Sequence, residues 1–429
     1  VARHPTGTTG PQADRKQPRP SPPAAAAPAA PPEGAHPIRQ FILKTHSRCN
    51  LACTYCYLYA GQDHGWRERP RLLGPEVARQ AARRIAEHAR AHRLARVGLV
   101  LHGGEPLLAG AGRLAGYAGL VRRAVGRPVD VSVQTNGTLL TRERIARLAA
   151  AGIRVGVSLD GGRAGHNTAR VDHAGRPGWG AAARGLRLLA DTAPEAYAGV
   201  LCVVDLRQDP VEVYDSLLDF VPPAVDLLLP HGNWSTPPPG LPAPPDDPAP
   251  YGRWLTAVFD RWWDAGRRRT RVRLFEECVA LLLGLPAATE RLGLQPFTAA
   301  VVETDGTVEQ VDSLKSAYEG AAATGMDVFR HSFDDVLSHP GVAARQAGLA
   351  ALSATCRSCP LVAVCGGGHY AHRYRAGAGG TAAGDFRNPS VYCADLAHLI
   401  RHIRTRLAAA AAGTGPGGGS GGATRETAR

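Results

Sequence analysis

Eight residues hold three cysteines, Cys49-Asn50-Leu51-Ala52-Cys53-Thr54-Tyr55-Cys56, spaced C-x3-C-x2-C with an aromatic residue just before the third. Thiolates are soft ligands that suit iron–sulfur clusters and zinc. A four-iron cluster held by three local thiolates keeps one iron free to coordinate a substrate or cofactor. The alternative is a structural zinc loop, which usually pairs C-x2-4-C with a second such pair and closes on four ligands. A second set lies far downstream. Cys356, Cys359 and Cys365 read C-x2-C-x5-C, and Cys393 follows. Four thiolates make a closed site, for zinc or for a fully ligated cluster. The remaining two of the nine cysteines, Cys202 and Cys278, sit in apolar runs and read as buried small hydrophobes. Clustering, in a chain without a compact apolar N-terminal segment, favours metal ligation over disulfides and a cytoplasmic setting.

The elements that must position these cysteines alternate between strand and helix from Phe41 onward. Short apolar strands are expected at 41–44, 97–101, 129–133, 155–159, 199–204 and 225–229. Helices of amphipathic period fall between them, one N-capped by Thr141. This order predicts right-handed βαβ units, a parallel sheet and a partial (β/α)6 TIM-type barrel within an α/β fold. In such barrels the chemistry lies at the C-terminal ends of the strands. Residues 231–250 are proline-laden and read as an ordered surface excursion. The aromatic helix after them, with Trp254, Phe259, Trp262 and Trp263, reads as core packing. The period then changes: 299–303 and 307–311 flank Thr304-Asp305-Gly306, a hairpin signal. The division expected is a disordered Pro/Ala-rich N-terminus (1–36), a barrel (37–290), an α+β appendage with the second cysteine set (291–408) and a flexible Gly-rich tail (409–429).

The formal net charge is +13, nearly all of it carried by Arg. Arg is scattered over amphipathic helices in a chain rich in Ala, Gly and Pro and poor in Lys, which points to compositional bias. Nucleic acid is therefore not an expected partner, and no recognisable RNA-binding domain is visible. No run of about twenty apolar residues occurs, so no membrane span is expected.

Motifs at the strand ends give the first cysteine set its meaning. His102-Gly103-Gly104-Glu105-Pro106 follows the second strand, Gln134-Thr135-Asn136-Gly137 ends the third, and Ser158-Leu159-Asp160-Gly161 ends the fourth. With the three-cysteine loop, these resemble the cluster loop, GGE, TNG and SLDG segments of the radical S-adenosylmethionine (SAM) superfamily. The resemblance implies a 4Fe–4S cluster on Cys49, Cys53 and Cys56, with SAM chelating the open iron and being cleaved to a deoxyadenosyl radical. It implies that Gly103, Gly104 and Glu105 hold the SAM amino group. Ser158 becomes a candidate contact to SAM and Arg170 a candidate partner for its carboxylate. Against these stand a turn Ser and a surface Arg.

Beside such a barrel, Cys356, Cys359, Cys365 and Cys393 resemble the SPASM extension, whose C-terminal domain carries auxiliary clusters. The resemblance covers about Arg39 to Leu407. This chain departs from the full pattern in three places. Val311 stands where a Cys usually precedes the hairpin Asp, His369 stands where another Cys is usual, and no Cys lies near Pro296-Phe297. One auxiliary 4Fe–4S cluster is thus expected, not two, and His369 is expected to be polar or substrate-facing. The run Cys365-Gly366-Gly367-Gly368-His369-Tyr370, with Asn388-Pro389-Ser390-Val391-Tyr392-Cys393, resembles the FxsB-type peptide maturases. These join an aromatic ring to a β-carbon within a three-residue motif. That implies a ribosomal precursor peptide as partner, an external electron donor of flavodoxin or ferredoxin type, and Asp312 as general base. Thioether formation, or sulfatase-type oxidation of Ser or Cys to formylglycine, are the alternatives.

Overall fold

The computed structural model describes residues 34–413, apart from 244, 266–269, 287–288 and 378–383. Most of the N-terminal stretch expected to be disordered, and the tail from 414, lie outside the described residues.

One sheet of ten strands organises the chain. β1 (Gln40–His46), β2 (Val97–Gly103), β3 (Val129–Thr135), β4 (Ile153–Ser158), β5 (Tyr197–Val203), β6 (Ala224–Leu228) and a two-residue β7 (Arg271–Val272) run parallel in sequence order. Helices α1 (Pro75–Ala91), α2 (Ala111–Val125), α3 (Arg142–Ala150), α4 (Trp179–Thr192), α5 (Pro210–Leu218) and α6 (Pro250–Trp263) make the crossovers, and α7 (Arg273–Leu282) follows β7. The reason is visible in α1. Ala78, Ala81, Ala82, Ile85, Ala86 and Ala89 recur at helical spacing and are all buried, so small side chains let the helix approach the sheet closely. Thr141 caps α3 as expected, accepting from the Arg144 N–H. Strand residues alternate faces. Val97, Leu99 and Leu101 of β2 join the core against the helices, which puts His102, like Lys44 beside Leu43 in β1, on the opposite face.

The hairpin forms where expected, as β8 (Ala299–Val302) and β9 (Thr307–Glu309) around Gly306, whose φ is +89°. It does not begin a new sheet. β8 pairs in parallel with β1, Phe41 opposite Ala300, and so continues the barrel sheet past its first strand. Ala300, Val301 and Val302 are almost wholly buried; a strand apolar on both faces needs cover on both. A further strand, β10 (Ala323–Asp327), pairs with β9. Its sequence, with Gly325 inside, carries little strand signal.

The C-terminal helix runs Cys393–Gly413, so residues 409–413, assigned to the tail from composition, continue it through an alanine run. It packs on α6, where the Gly252 N–H donates to Asp395 and Asp260 pairs with His402 and Arg406. The proline-rich loop is anchored: buried Asn233 donates to the Ser316 carbonyl, and the Trp234 indole to that of Pro389. Among the described residues no helix is long and apolar enough to cross a membrane.

Candidate active site

The three-cysteine loop follows β1 and is docked on the segment after β4. The Ala52 N–H donates to the Val171 carbonyl, the Thr54 N–H to that of Ala169, and the His173 ring contacts the Cys49 carbonyl. Cys49, Cys53 and Cys56 are all partly buried and within electrostatic reach of one another. Burial pushes the Cys49 thiol up to about 12 and raises Cys53 and Cys56 too. Thiolates in such a place require a cationic partner, which is what an iron–sulfur group supplies. The donor set therefore fits a three-thiolate cluster.

The glycine pair of the second strand end is explained by this docking. Gly103 has φ +156°, and a Cβ there would meet the His46 carbonyl oxygen at 2.3 Å. One on Gly104 would meet the Arg48 carbonyl at 2.5 Å. The turn lies directly on the chain leading into Cys49, bonded by Gly104 N–H to His46 and Glu105 N–H to Arg48. Glu105 is fully buried. Its carboxylate accepts from the Leu107 N–H at 2.9 Å, the Thr135 hydroxyl at 2.8 Å and the Asn136 N–H at 2.8 Å. A carboxylate has about four acceptor positions, so one remains for an ammonium. Glu105 thus also ties the end of β2 to the end of β3. Asn136 reaches onward, donating to Asn50 at 2.9 Å and to the Cys49 sulfur at 3.7 Å.

Arg170 is not a surface residue. It is buried and donates to the Tyr55 hydroxyl at 2.8 Å, which itself donates to Asp160 at 2.5 Å. Tyr55, the aromatic residue before Cys56, therefore couples the loop to the end of β4. Five guanidinium donors with one so engaged leave Arg170 able to meet a carboxylate. The Ser158 hydroxyl accepts from Gln134 at 2.9 Å, at the C-terminal end of β4.

Asp312 follows β9 and sits inside a buried charge cluster. Its Oδ2 is 2.7 Å from Lys44 Nζ and 3.5 Å from His102 Nδ1, and its Oδ1 is 3.6 Å from Lys315 Nζ. Lys315 also meets Glu303 at 2.7 Å and Glu309 at 2.8 Å, and Arg69 meets Glu309 at 2.6 Å. Burial opposes the charge on Asp312, yet Lys44 and Lys315 outweigh it and hold the carboxyl well below the usual range. His102 is driven down to about 4 by burial and by Lys44, so it is neutral. Asp312 Oδ1 is buried without a hydrogen-bond partner among the described residues. The chain has only three lysines, at 16, 44 and 315, and the latter two meet here. That scarcity was readable in the sequence; their convergence, across β1 and the turn after β9, was not.

The second cysteine set is assembled from more distant pieces. Cys356 lies in a short helical turn capped by Ser353, Cys365 ends a short helix, and Cys393 opens the C-terminal helix. Cys365 lies within electrostatic reach of Cys356 and Cys393, and Cys393 of Cys359. Burial pushes Cys365 up to about 11, so this set also fits a metal–sulfur group. Gly366, Gly367 and Gly368 all have positive φ, and a Cβ on Gly366 would strike the Gly293 carbonyl at 1.7 Å. Arg373 donates to the carbonyls of all three glycines beside Cys356 and Cys365. No thiol accompanies His369; two further imidazoles, His231 and His372, do. Burial keeps all three neutral. His231 follows β6 and was missed because nothing in the local sequence links it to His369.

Residues 43–199 match the model of the Radical SAM superfamily. A serine-type anaerobic sulfatase-maturating enzyme of Bacteroides thetaiotaomicron is 25% identical over 294 residues, 65% of this chain and 70% of that protein. A solved structure of anSMEcpe with bound AdoMet has a TM-score of 0.71 at 21% identity, covering 87% of this chain and 99% of that one. Streptococcus suis SuiB bound to precursor peptide SuiA has a TM-score of 0.53 at 13% identity, covering 79% and 72%. The barrel expected from strand periodicity is thus the α/β fold those structures share.

Proposed function

We propose that this chain, a radical SAM protein related to the SPASM-type maturases, modifies a ribosomally made precursor peptide by forming a carbon–carbon crosslink. The bond would join an aromatic ring to a side-chain β-carbon within three residues. SAM on a cluster held by Cys49, Cys53 and Cys56 would supply a deoxyadenosyl radical as acceptor for a hydrogen atom of the β-carbon. The resulting carbon radical would add to the ring, which then loses one proton and one electron, the electron returning to the external electron carrier that supplied one for SAM cleavage.

In this reading Cys49, Cys53 and Cys56 hold the first cluster, and Cys356, Cys359, Cys365 and Cys393 the second. Gly103, Gly104 and the free position on Glu105 receive the SAM ammonium. Arg170 meets its carboxylate and Ser158 flanks it. Asp312 takes the proton. The observation that carries its role is the buried Oδ1, which has no hydrogen-bond partner among the described residues, on a carboxylate within electrostatic reach of Tyr57, the residue next to Cys56. A carboxylate held ionised is a weak base, but a proton leaving a cationic ring carbon is strongly acidic and needs no stronger one.

A second reading is favoured by the curated relatives: oxidation of a Ser or Cys side chain to formylglycine, as the name of the Bacteroides enzyme suggests. What supports crosslinking over it is the incomplete second thiolate pattern: Val311 and His369 stand where the resemblance would put further cysteines, and none lies near Pro296-Phe297. The test takes candidate precursor peptides from short open reading frames found next to the gene, with the anaerobically reconstituted chain, SAM and reductant. Crosslinking and Ser oxidation both remove two hydrogens. A hydrazide reagent distinguishes them, since only the aldehyde reacts. A hydrazide-reactive product sinks the crosslink; loss of fragment ions between the two joined residues supports it.

A further inference from the structure

The three imidazoles between the two cysteine sets have no part in the chemistry above. His231 comes from the loop after β6, and His369 and His372 from the turn at Tyr370–Arg373. One ring nitrogen of each lies within 4.8 Å of the others. His231 Nδ1 stands 3.2 Å from His372 Nε2. A tetrahedral ion with metal–nitrogen bonds of about 2.0–2.1 Å sets its ligand nitrogens roughly 3.3 Å apart, so that pair already spans one edge of such a site.

The surroundings fix the rings. Tyr57 packs edge-on to His231 at 4.5 Å between centroids, and Tyr392 to His372 at 5.0 Å. The residues beside these tyrosines are Cys56 and Cys393, so the trio lies between the loops that carry the two thiolate sets. Glu290 Oε1, 3.6 Å from His369 Nε2, provides an anion beside the rings. The Ala371 N–H donates to His369 Nδ1, so Nε2 is the nitrogen left to ligate, with the carboxylate close to the ion it would hold. Arg291, Arg345 and Arg373 lie within electrostatic reach of His369 and oppose a cation, which weakens the site.

We propose that His231, His369 and His372 together bind one divalent first-row transition ion of the Zn2+, Fe2+ or Co2+ class, outside both cysteine sets. Neutral imidazole suits these ions, and three protein ligands leave a fourth position for water or a substrate donor.

The probe is Co2+, added to the full chain after both cysteine sets have been loaded with iron and sulfide and excess iron removed. One further equivalent should bind with visible ligand-field bands and no sulfur-to-cobalt charge transfer. His369→Ala should weaken that binding at least about a hundredfold, beyond the 10–100-fold typical of losing an outer partner, with cluster iron unchanged. If buried His372→Ala fails to fold, His231→Gln at a half-buried position carries the same test. Absence of the extra equivalent in the unaltered chain overturns the proposal. So does binding that survives His369→Ala and His231→Gln, or the appearance of thiolate charge-transfer bands.

Discussion

Cys49, Cys53 and Cys56 come from one loop of eight residues, whereas Cys356, Cys359, Cys365 and Cys393 are gathered from two short turns of helix, the segment between them and the first residue of a long helix. The first set is cheap for a chain to place, since its ligands need only one loop conformation. What it requires is company, and the parallel strands provide it. Glu105 at the end of β2, Asn136 after β3 and Asp160 after β4 all bond to that loop or to a residue that does. The second set offers four thiols of its own, with Arg373 and three glycine carbonyls beside it. A site meant to admit a ligand is built from many strand ends; a site meant to be complete is built from its own ligands.

The sharpest way to break this contrast is to remove one thiol from each set. Cys53→Ala should abolish SAM cleavage and lower the iron content by one cluster, from the two expected after anaerobic reconstitution. The fold should survive, because backbone bonds from Ala52 and Thr54 still dock the loop. Cys393→Ala should also remove one cluster but leave SAM cleavage in place. Its cost falls on stability, because the C-terminal helix that packs on α6 starts there. A fall of roughly 5–10 °C is expected, at about 2–4 °C per kcal/mol for a large domain. Cleavage that survives Cys53→Ala, or is lost with Cys393→Ala, would show that the two sets are not divided this way.

Asp312→Asn tests whether the charge cluster belongs to the start of the reaction or to its end. Peptide product should fall by at least about a hundredfold, the lower range for losing a positioned base, while SAM is still cleaved. Equal loss of both would make Asp312 part of the SAM site. The pH dependence sharpens the same point. Asp312 has a depressed folded value, so it stays ionised above the ordinary carboxylate range and is protonated only as pH falls below it. Product formation should therefore show no acid limb from this group between about pH 6 and 8.

The cysteine sets and strand ends were legible because their signals are local. Cysteine spacing, Gly103-Gly104-Glu105 and the Asp305-Gly306 turn each declare themselves within a few residues. The helices were legible from period, and Thr141 from its side chain. What was not legible is pairing over distance. β8 looks like the start of something new until it is seen beside β1, more than 250 residues earlier. Arg170 looks like one surface arginine among many until Tyr55 and Asp160 are found around it. The alanine run at 408–412 reads as a low-complexity tail, yet it simply lengthens a helix already anchored by Leu399, Ile400 and Ile403.

Lys44 offers the finest test, because composition and geometry meet there. This chain uses Arg for nearly every cation, yet keeps Lys at 44 and 315, the two residues that flank Asp312. Lys44 is 3% exposed, with Nζ 2.7 Å from Asp312 and 3.3 Å from His102. A compact ammonium fits between the two; a planar guanidinium is longer and imposes a fork. Lys44→Arg keeps the charge, so Asp312 should remain ionised and the pH profile flat. The displaced carboxylate should still slow product formation by about tenfold, less than the roughly hundredfold cost of a full 1 Å misplacement. Lys44→Met removes the charge and should instead destabilise the fold by about 3–5 kcal/mol, as breaking a buried pair does. If Lys44→Arg matches the unaltered chain in product formation while SAM cleavage is also unchanged, the ammonium's shape is irrelevant. The lysines would then mark only charge, and the cluster around Asp312 would belong with the self-sufficient region rather than with the one that depends on its neighbours.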